Sequence, residues 1–349
     1  MTMDIHERMQ AFWAGERPDQ IPLTIYGFFC GEWTKDPEWL ALFQAGLAPL
    51  HLVGMAHEPV TGVEWLNDSF EKDGATWHRQ IQRTPVGEIQ TVAKAGWRQE
   101  YWLKTAQDYR VMTWIVNHRD VQPMYQYWGE LQRDMAPYAV LAPSIFRTPI
   151  QEILVDLVGL ELFAVHLYDF EAEMMELYQA MLQKFRRRVE IVAEGPGKYV
   201  SCLENFTAET MGPERYKQLI LPVYEELFPL LHQAGKIVGV HYDGKLASCR
   251  DAIAGAPIDL IESLTGPPEG DMTYDQCRAA WPEKLFWANL NVSDYQLPPK
   301  QLKARVHELV AQASPDGTKL AFEISEDLPR NWRESIPVVM EALNETRGK

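Results

Sequence analysis

Cysteine is scarce in this sequence, and the cysteines that occur lie far apart. The four are Cys30, Cys202, Cys249 and Cys277. No two of them form a CxxC pair, so their spacing favours neither a zinc knuckle nor a disulfide framework nor a dithiol redox motif. The N-terminal residues also lack the basic start and the apolar run of a signal peptide. We therefore expect a cytoplasmic protein with reduced thiols.

Positive charge and long apolar runs are also in short supply. The chain has 33 Lys and Arg against 49 Asp and Glu, a net charge of −16. Such a surface repels phosphate backbones and anionic lipid, so we expect neither nucleic acid nor a membrane as partner. The longest apolar stretch, residues 153–170, is interrupted by charged residues that a bilayer-spanning helix would rarely carry. We interpret it as buried protein interior.

Several catalytic motifs are missing as well. The sequence contains no Walker loop, no GxGxxG, no GxSxG and no HExxH. Because these motifs build phosphate-binding loops, nucleophile elbows and helical zinc sites, the nucleotide-dependent and serine-hydrolase classes have no support.

The sequence does contain a regular alternation of short apolar runs and longer amphipathic segments, which is typical of βα units with a parallel sheet. The predicted strands are 22–28, 50–55, 138–145, 162–167, 199–203, 237–241, 258–264, 285–290 and 319–324. Eight or nine strands favour an α/β fold of the TIM-type (β/α)₈ barrel class. We predict one barrel domain over residues 1–349, with an antiparallel β excursion inserted at 62–117 and a turn at 85–87.

One predicted strand ends in two potential metal ligands, His241 and Asp243. Side chains at positions i and i+2 of a strand point to the same face, so both could contact one ion. Three carboxylates lie at or just after the end of the last predicted strand, Glu323, Glu326 and Asp327, and one of them could complete a site for Zn²⁺, Mn²⁺ or Fe²⁺. The alternatives are a structural histidine beside an Asp-Gly turn, and helix-capping acids in a polar loop.

Two further carboxylates, Glu204 and Glu262, also end predicted strands. Either could act as a general base, orient His241 or accept a substrate hydroxyl, and we name both as candidate catalytic residues. An ordinary salt-bridge role remains open for Glu204.

The chain resembles the uroporphyrinogen decarboxylase superfamily, which includes the cobalamin-dependent methyltransferases. Residues 8–22 are similar to that family's amino-terminal helix and its GExPDRxP segment, and residues 211–216 with 221–222 to its SPExY…xxP helix start. The resemblance covers most of the chain. The porphyrin decarboxylases carry an arginine-rich segment after the first strand, whereas residues 25–33 here contain no arginine, which disfavours tetrapyrrole decarboxylation.

The resemblance also implies where the site lies. His241 and Asp243 match the His-x-Cys of the zinc methyltransferases, and Glu326 falls where their last cysteine stands, so we prefer Glu326 as the third ligand. We assign Tyr26 and Tyr242, which lie in the matching segments, to substrate binding. Because carboxylates donate less electron density than thiolates, a bound Zn²⁺ or other divalent ion would remain a stronger Lewis acid.

That chemistry suits demethylation of a small methoxylated, aromatic substrate. The resemblance implies that the methyl group passes to a corrinoid on a separate partner protein, or moves in the reverse direction. One alternative is a metal-free decarboxylase or lyase in which His241, Asp243 and Glu204 perform acid-base work. Another is a non-catalytic barrel that binds a corrinoid protein.

Overall fold

The computed structural model describes residues 3–346, and this part of the chain divides into two compact units. The first unit extends up to Met55, continues over Tyr125–Phe146 and resumes at Val192. The second unit combines Ala56–Met124 with Arg147–Ile191. The predicted insertion at 62–117 thus lies in the second unit, which also takes up a later segment that the sequence did not assign to it.

The strands of the described chain are Leu23–Tyr26 (β1), Leu47–Gly54 (β2), Ala56–His57 (β3), Glu64–Lys72 (β4), Ala75–Thr84 (β5), Gly87–Lys94 (β6), Trp97–Glu100 (β7), Gln122–Pro123 (β8), Val140–Phe146 (β9), Tyr199–Cys202 (β10), Ile237–His241 (β11), Leu260–Thr265 (β12), Leu285–Asn289 (β13) and Leu320–Glu323 (β14).

The α-helices are Ile5–Trp13 (α1), Pro37–Gln44 (α2), Ala106–Asn117 (α3), Tyr125–Met135 (α4), Pro149–Glu152 (α5), Leu160–Asp169 (α6), Glu171–Glu194 (α7), Ala208–Arg215 (α8), Leu221–Gln233 (α9), Arg250–Gly255 (α10), Tyr274–Ala280 (α11), Pro299–Ala313 (α12) and Trp332–Glu345 (α13). Short π-helical turns at Ile153–Val158 and Tyr216–Ile220 precede α6 and α9.

Eight strands of the first unit close into a parallel barrel in the order β1-β14-β13-β12-β11-β10-β9-β2, with β2 pairing β1. Each strand pairs with the next barrel strand along the chain, which is the (β/α)₈ arrangement. The sequence prediction of a TIM-type barrel with a separate antiparallel sheet is confirmed. All parallel strands end at the same rim of the barrel, so residues at their carboxyl ends are brought together.

Alternation along the strands fills the barrel with apolar side chains. The core includes Leu50, Trp287 and Ala321 from three strands, and α1 contributes Phe12, whose ring meets Trp287 edge-on at 5.9 Å. Trp287 Nε1 donates to Thr24 Oγ1 at 2.9 Å, so the one polar atom of that ring has a partner inside the barrel. Side chains two residues further along each strand also point into the barrel, and they lie at its carboxyl-terminal rim.

The second unit contains the four-stranded antiparallel sheet β4-β5-β6-β7. Asp73 and Gly74 link β4 to β5 with φ of +52° and +69°, the backbone that a two-residue hairpin turn requires. The predicted turn at 85–87 does connect β5 with β6. The sheet ends at Glu100, however, and residues 106–117 form α3 rather than a further strand.

The predicted strand at 162–167 is wrong, because this segment lies in α6. Short apolar runs do not distinguish helix from strand, and here the buried pair Phe163 and His166 has the spacing of one helix face. The interpretation of residues 153–170 as interior is only partly correct, since Leu160 and Tyr168 are 59% and 89% exposed. Within residues 3–346, no helix has both the length and the apolar character needed to cross a bilayer.

Candidate metal centre

Four polar side chains meet at the carboxyl-terminal rim of the barrel. Tyr26, His241 and Glu323 are the last residues of β1, β11 and β14, and Glu262 of β12 lies opposite His241 in the strand register. All four are buried. Because strands distant in sequence end at one rim, groups separated by more than two hundred residues become neighbours.

His241, Asp243 and Glu326 form a cluster whose ligand atoms all lie within 4.8 Å of one another. His241 Nε2 is 2.8 Å from Glu326 Oε1 and 3.9 Å from Asp243 Oδ2. Two ligands of a tetrahedral ion with bonds of about 2.0–2.1 Å are about 3.3 Å apart, and the two distances bracket that value. The three residues therefore fit one face of a divalent-ion site.

A short chain of hydrogen bonds from His241 through Tyr26 to Glu262 determines which imidazole nitrogen carries the proton. Tyr26 Oη donates to Glu262 Oε1 at 3.0 Å and lies 3.1 Å from His241 Nδ1. A phenol has only one proton, and Tyr26 gives it to the carboxylate, so Nδ1–H of the imidazole must donate to Tyr26 Oη. This leaves the lone pair of Nε2 on the side of Asp243 and Glu326, which is the tautomer that binds metal.

His241 Nε2 is buried and has no hydrogen bond, although Glu326 Oε1 is close to it. The two atoms are 2.8 Å apart, so Glu326 can pair with a protonated imidazole or share an ion with a neutral one. Burial alone would lower the pKa of His241, but Glu262 and Glu326 outweigh burial and raise this pKa well above its usual value. Without an ion, the Nε2 lone pair of the imidazole therefore binds a proton. With a divalent ion present, the same lone pair would bind the ion instead.

The electrostatics of the carboxylates point to a positive charge in the same place. Burial and the charge of Glu326 raise the pKa of Asp243, although His241 opposes them. For Glu326 and Glu262, burial also disfavours the charge, but the His241 imidazole lowers both pKa values. A divalent cation would compensate Asp243 and Glu326 together.

Polar side chains at neighbouring strand ends orient the two carboxylates. Asn205 Nδ2 donates to Asp243 Oδ2 at 3.5 Å, and Ser263 Oγ donates to Glu326 Oε1 at 3.0 Å. Asn205 and Ser263 have φ of +49° and +59°, a region that residues other than glycine rarely adopt. Such strain is found where the fold must aim particular side chains. Sequence reasoning missed both residues; their only signal was a position directly after a predicted strand or near its end.

Glu262 is saturated with donors from inside the barrel. Its Oε2 accepts from Tyr199 Oη at 2.7 Å and from Ser201 Oγ at 2.9 Å, in addition to the bond from Tyr26 to Oε1. Gly239 makes this possible, because a Cβ there would overlap the Tyr199 ring. Glu262 therefore anchors the imidazole relay through a fixed negative charge. Tyr199 and Ser201 were also missed by the sequence analysis.

Two of the predicted site residues lie in a different cluster. Tyr242 points away from His241 along β11 and its extension, and its hydroxyl contacts those of Tyr216 and Tyr224, each at 3.1 Å. Tyr224 in turn donates to Glu204 Oε1 at 2.8 Å. Both Tyr242 and Glu204 are fully buried. The structure thus brings His241, Asp243, Glu326, Tyr26 and Glu262 together. Tyr242 and Glu204 lie instead in the buried tyrosine cluster.

Of the three carboxylates at or after the end of the last strand, Glu326 is the one in the cluster with His241 and Asp243. Glu323 is completely buried, and the Tyr26 hydroxyl is the polar group that interacts with its carboxyl. Burial and the negative charge of Glu262 raise the pKa of Glu323 well above its usual value. Glu323 therefore favours the neutral acid beside the cluster.

Comparison with known proteins supports the fold. No protein-family model matches the chain, and no curated protein sequence matches it significantly. Among solved structures, a methyltransferase from Methanosarcina mazei superposes over 98% of this chain and 99% of its own, with a TM-score of 0.58 and 11% identity. A structure of the pneumococcal virulence factor StrH covers 94% of this chain and 84% of its own, with a TM-score of 0.40 and 12% identity. The first similarity extends over the whole barrel, and at this identity it is a similarity of fold.

Proposed function

We propose that this chain is a metal-dependent methyltransferase that moves a methyl group between a small methoxylated aromatic compound and a corrinoid carried by a separate protein. His241, Asp243 and Glu326 hold the ion, which is Zn²⁺ or another divalent metal. The full-length similarity in fold to the Methanosarcina mazei methyltransferase supports the class of reaction. The donor set supports the choice of substrate.

The observation that carries the proposal is the cluster of buried His241 with Asp243 and Glu326, whose ligand atoms all lie within 4.8 Å of one another. The relay through Tyr26 to Glu262 keeps the proton on Nδ1. An imidazole fixed in this way, with a carboxylate behind it, is the usual arrangement of a metal-binding histidine.

A divalent ion bound by one imidazole and two carboxylates supplies Lewis acidity toward an ether oxygen. In the proposed reaction, the carbon–oxygen bond of the methyl ether would break and the aromatic oxygen would keep its electron pair. A Co(I) corrinoid on the partner protein would supply the electron pair of the new bond to the methyl carbon. Asn205 and Ser263 hold the two carboxylates in position. Burial of His241 and Glu262 keeps water away from the relay that fixes the imidazole.

One observation favours a metal-free alternative. In the absence of an ion, Glu262 and Glu326 raise the pKa of His241, so the imidazole would be charged and could protonate a substrate. A decarboxylase or lyase of this kind needs no bound metal. Glu204, which we considered as its base, lies in the tyrosine cluster instead.

Metal analysis separates the two functions. Mass spectrometry of protein purified without chelators should find about one divalent ion per chain, and the ion should be lost in His241→Ala and in Glu326→Ala. Glu283→Gln, which changes an exposed carboxylate that pairs with Lys319, is the matched control and should keep the ion. Methyl transfer is then followed as methylcobalamin formed from 2-methoxyphenol and cob(I)alamin.

Absence of metal from the wild type, even after reconstitution, would refute the metal-dependent mechanism. Metal that stays bound in His241→Ala would refute this ligand set.

A further inference from the structure

One edge of the antiparallel sheet in the second unit is long and open. β4 (Glu64–Lys72) stands first in the order β4-β5-β6-β7, and within residues 3–346 it pairs only with β5. All nine of its residues have partners in β5, without a shift of register. Every residue of β4 except Leu66 is exposed, so the outer side of its backbone faces solvent.

The opposite edge of the same sheet carries the usual protection against pairing with another chain. β7 (Trp97–Glu100) has only four residues, and its pairing with β6 shifts register between Val92 and Ala93. Short strands and irregular pairing are two ways in which proteins protect a sheet edge. β4 has neither feature and contains no proline, and its charged side chains are of both signs.

The hairpin turn determines which backbone groups of β4 are free. The two-residue turn at Asp73 and Gly74 makes Lys72 and Ala75 a hydrogen-bonded pair. Such pairs alternate along an antiparallel ladder, so the even-numbered residues of β4 bond to β5. The N–H and C=O groups that point out of the sheet edge are therefore those of the odd-numbered residues Trp65, Asn67, Ser69 and Glu71.

The sequence of β4 is complementary to itself when two copies run antiparallel about Asp68. Glu64 then lies opposite Lys72 of the second copy, and Leu66 lies opposite Phe70. This register pairs all nine residues of the strand. It also matches the odd-numbered residues of the two copies, whose outward groups would form about eight hydrogen bonds.

The side chains of the even-numbered residues suit this register, in which they occupy the closer, non-hydrogen-bonded pairs. Phe70 is 36% exposed and stacks on Trp77 with ring centres 6.3 Å apart, and Leu66 of a second copy would extend this apolar surface. Asp68 would face its own copy, which is unfavourable for like charges. In each copy, however, Arg79 forms a salt bridge with Asp68 and compensates its charge.

We propose that two copies of this chain associate through β4, so that their antiparallel sheets become one continuous sheet across a two-fold axis at Asp68. The contact includes no residue of the candidate metal centre, and the inference is independent of the proposed function. Because the interface is one strand wide, its area is small, and we expect a reversible dimer with a Kd in the micromolar range.

Charge reversal at the two ends of the strand tests this dimer. Sedimentation equilibrium of the full-length protein, from about 1 to 200 μM, measures the association. Glu64→Lys sets lysine against Lys72 of the second copy, and Lys72→Glu sets glutamate against Glu64. Each variant should weaken dimerisation at least about tenfold.

A mixture of the two variants should associate as tightly as the wild type, because each end of the interface then pairs a lysine with a glutamate. This recovery cannot arise within one chain, since Glu64 and Lys72 are about 27 Å apart along the strand. Glu88→Lys is the matched control. Glu88 pairs with Arg83, as Glu64 does, but lies on β6 inside the sheet, so this variant should dimerise normally.

A proline substitution tests the backbone hydrogen bonds separately. Asn67→Pro removes an outward N–H that makes no bond to β5, and edge strands tolerate proline at such a position. This variant should lose dimerisation, whereas Asn67→Ala should keep it. Circular dichroism of both variants reports whether the chain is folded.

The outcomes are decisive without any measurement of methyl transfer. A wild type that stays monomeric over the whole concentration range would overturn the proposal. A dimer that persists in both charge variants would also overturn it, because its interface would then lie elsewhere on the chain. Charge variants that dissociate but do not recover when mixed would exclude the two-fold pairing about Asp68.

Discussion

At the scale of single residues, the proton of one imidazole decides what the rim can bind. Tyr26 stands between His241 Nδ1 and Glu262, with distances of 3.1 and 3.0 Å. Sequence reasoning assigned Tyr26 to the substrate, whereas the structure places its hydroxyl behind the imidazole. That position gives the phenol control over the tautomer, and so over the lone pair that a metal would use.

Tyr26→Phe should therefore weaken metal binding while leaving the three ligands in place. Loss of a group that orients a ligating histidine costs about 10- to 100-fold in metal affinity. Competition with a chromophoric zinc chelator measures the affinity directly. Circular dichroism of the same samples reports whether the barrel is intact.

Tyr199→Phe is the matched control for that substitution. It removes a hydroxyl donor to the same carboxylate at 2.7 Å, but the structure records no contact of this hydroxyl with His241. We expect a smaller loss of affinity than for Tyr26→Phe. Equal losses in the two variants would show that the charge of Glu262, and not the tautomer of His241, governs binding.

At the scale of elements, the sequence predicted most of the barrel because buried parallel strands are short apolar runs. The strand Ile237–His241 was predicted with its bounds as observed, and the i, i+2 spacing correctly placed His241 and Asp243 on one side. Residues 162–167 are a similarly short apolar run but form part of α6. Apolar content alone does not distinguish the two, since a helix and a strand of six residues bury similar side chains.

The other contacts of the site could not be predicted from the sequence, because they depend on which strands become neighbours in the barrel. Tyr26 and Glu262 are 236 residues apart in the chain, and only closure of the barrel brings them together. Asn289 and Glu323 meet through the register of β13 and β14, which the sequence does not specify. The positive φ of Ser263, which lets its hydroxyl reach Glu326, depends on the same packing.

A buried lysine directly before β13 gives a prediction about the stability of this part of the barrel. Lys284 Nζ donates to the carbonyl oxygens of Ala256 and Ile258, at 3.1 and 2.9 Å, and so ties the segment after α10 to β13. Burial lowers the pKa of Lys284 to about 8. The folded protein thus binds fewer protons than the unfolded chain between pH 8 and the ordinary lysine pKa.

The free energy of unfolding should rise with pH across that interval. The unfolded chain still binds a proton at Lys284 that the folded protein has released, so raising the pH destabilises the unfolded state more than the folded state. Relative to Lys284→Met, the wild type should gain about 2 kcal/mol in the free energy of unfolding between pH 7 and pH 9.5. Urea denaturation of both proteins at the two pH values measures this difference. A constant difference would mean that Lys284 keeps its ordinary pKa in the fold.

At the scale of the whole molecule, the proposed ion connects strands that do not touch. His241 ends β11 and Glu326 follows β14, and β12 and β13 lie between them in the barrel. An ion held by both would bridge three of the eight steps between neighbouring strands around the rim. Because the unfolded chain has no such site, binding should stabilise the folded barrel.

The acidic surface makes a control essential for this last prediction. A chain with a net charge of −16 attracts divalent cations without any specific site. Specific binding at a hundredfold excess of Zn²⁺ over Kd is worth about 2.7 kcal/mol, which corresponds to about 3–4 °C in Tm for a chain of this length. Wild type and Glu341→Gln, a change at an exposed carboxylate on α13, should both show the increase in a thermal scan. His241→Ala should not, and an equal increase in all three proteins would assign the stabilisation to the surface charge instead of the rim.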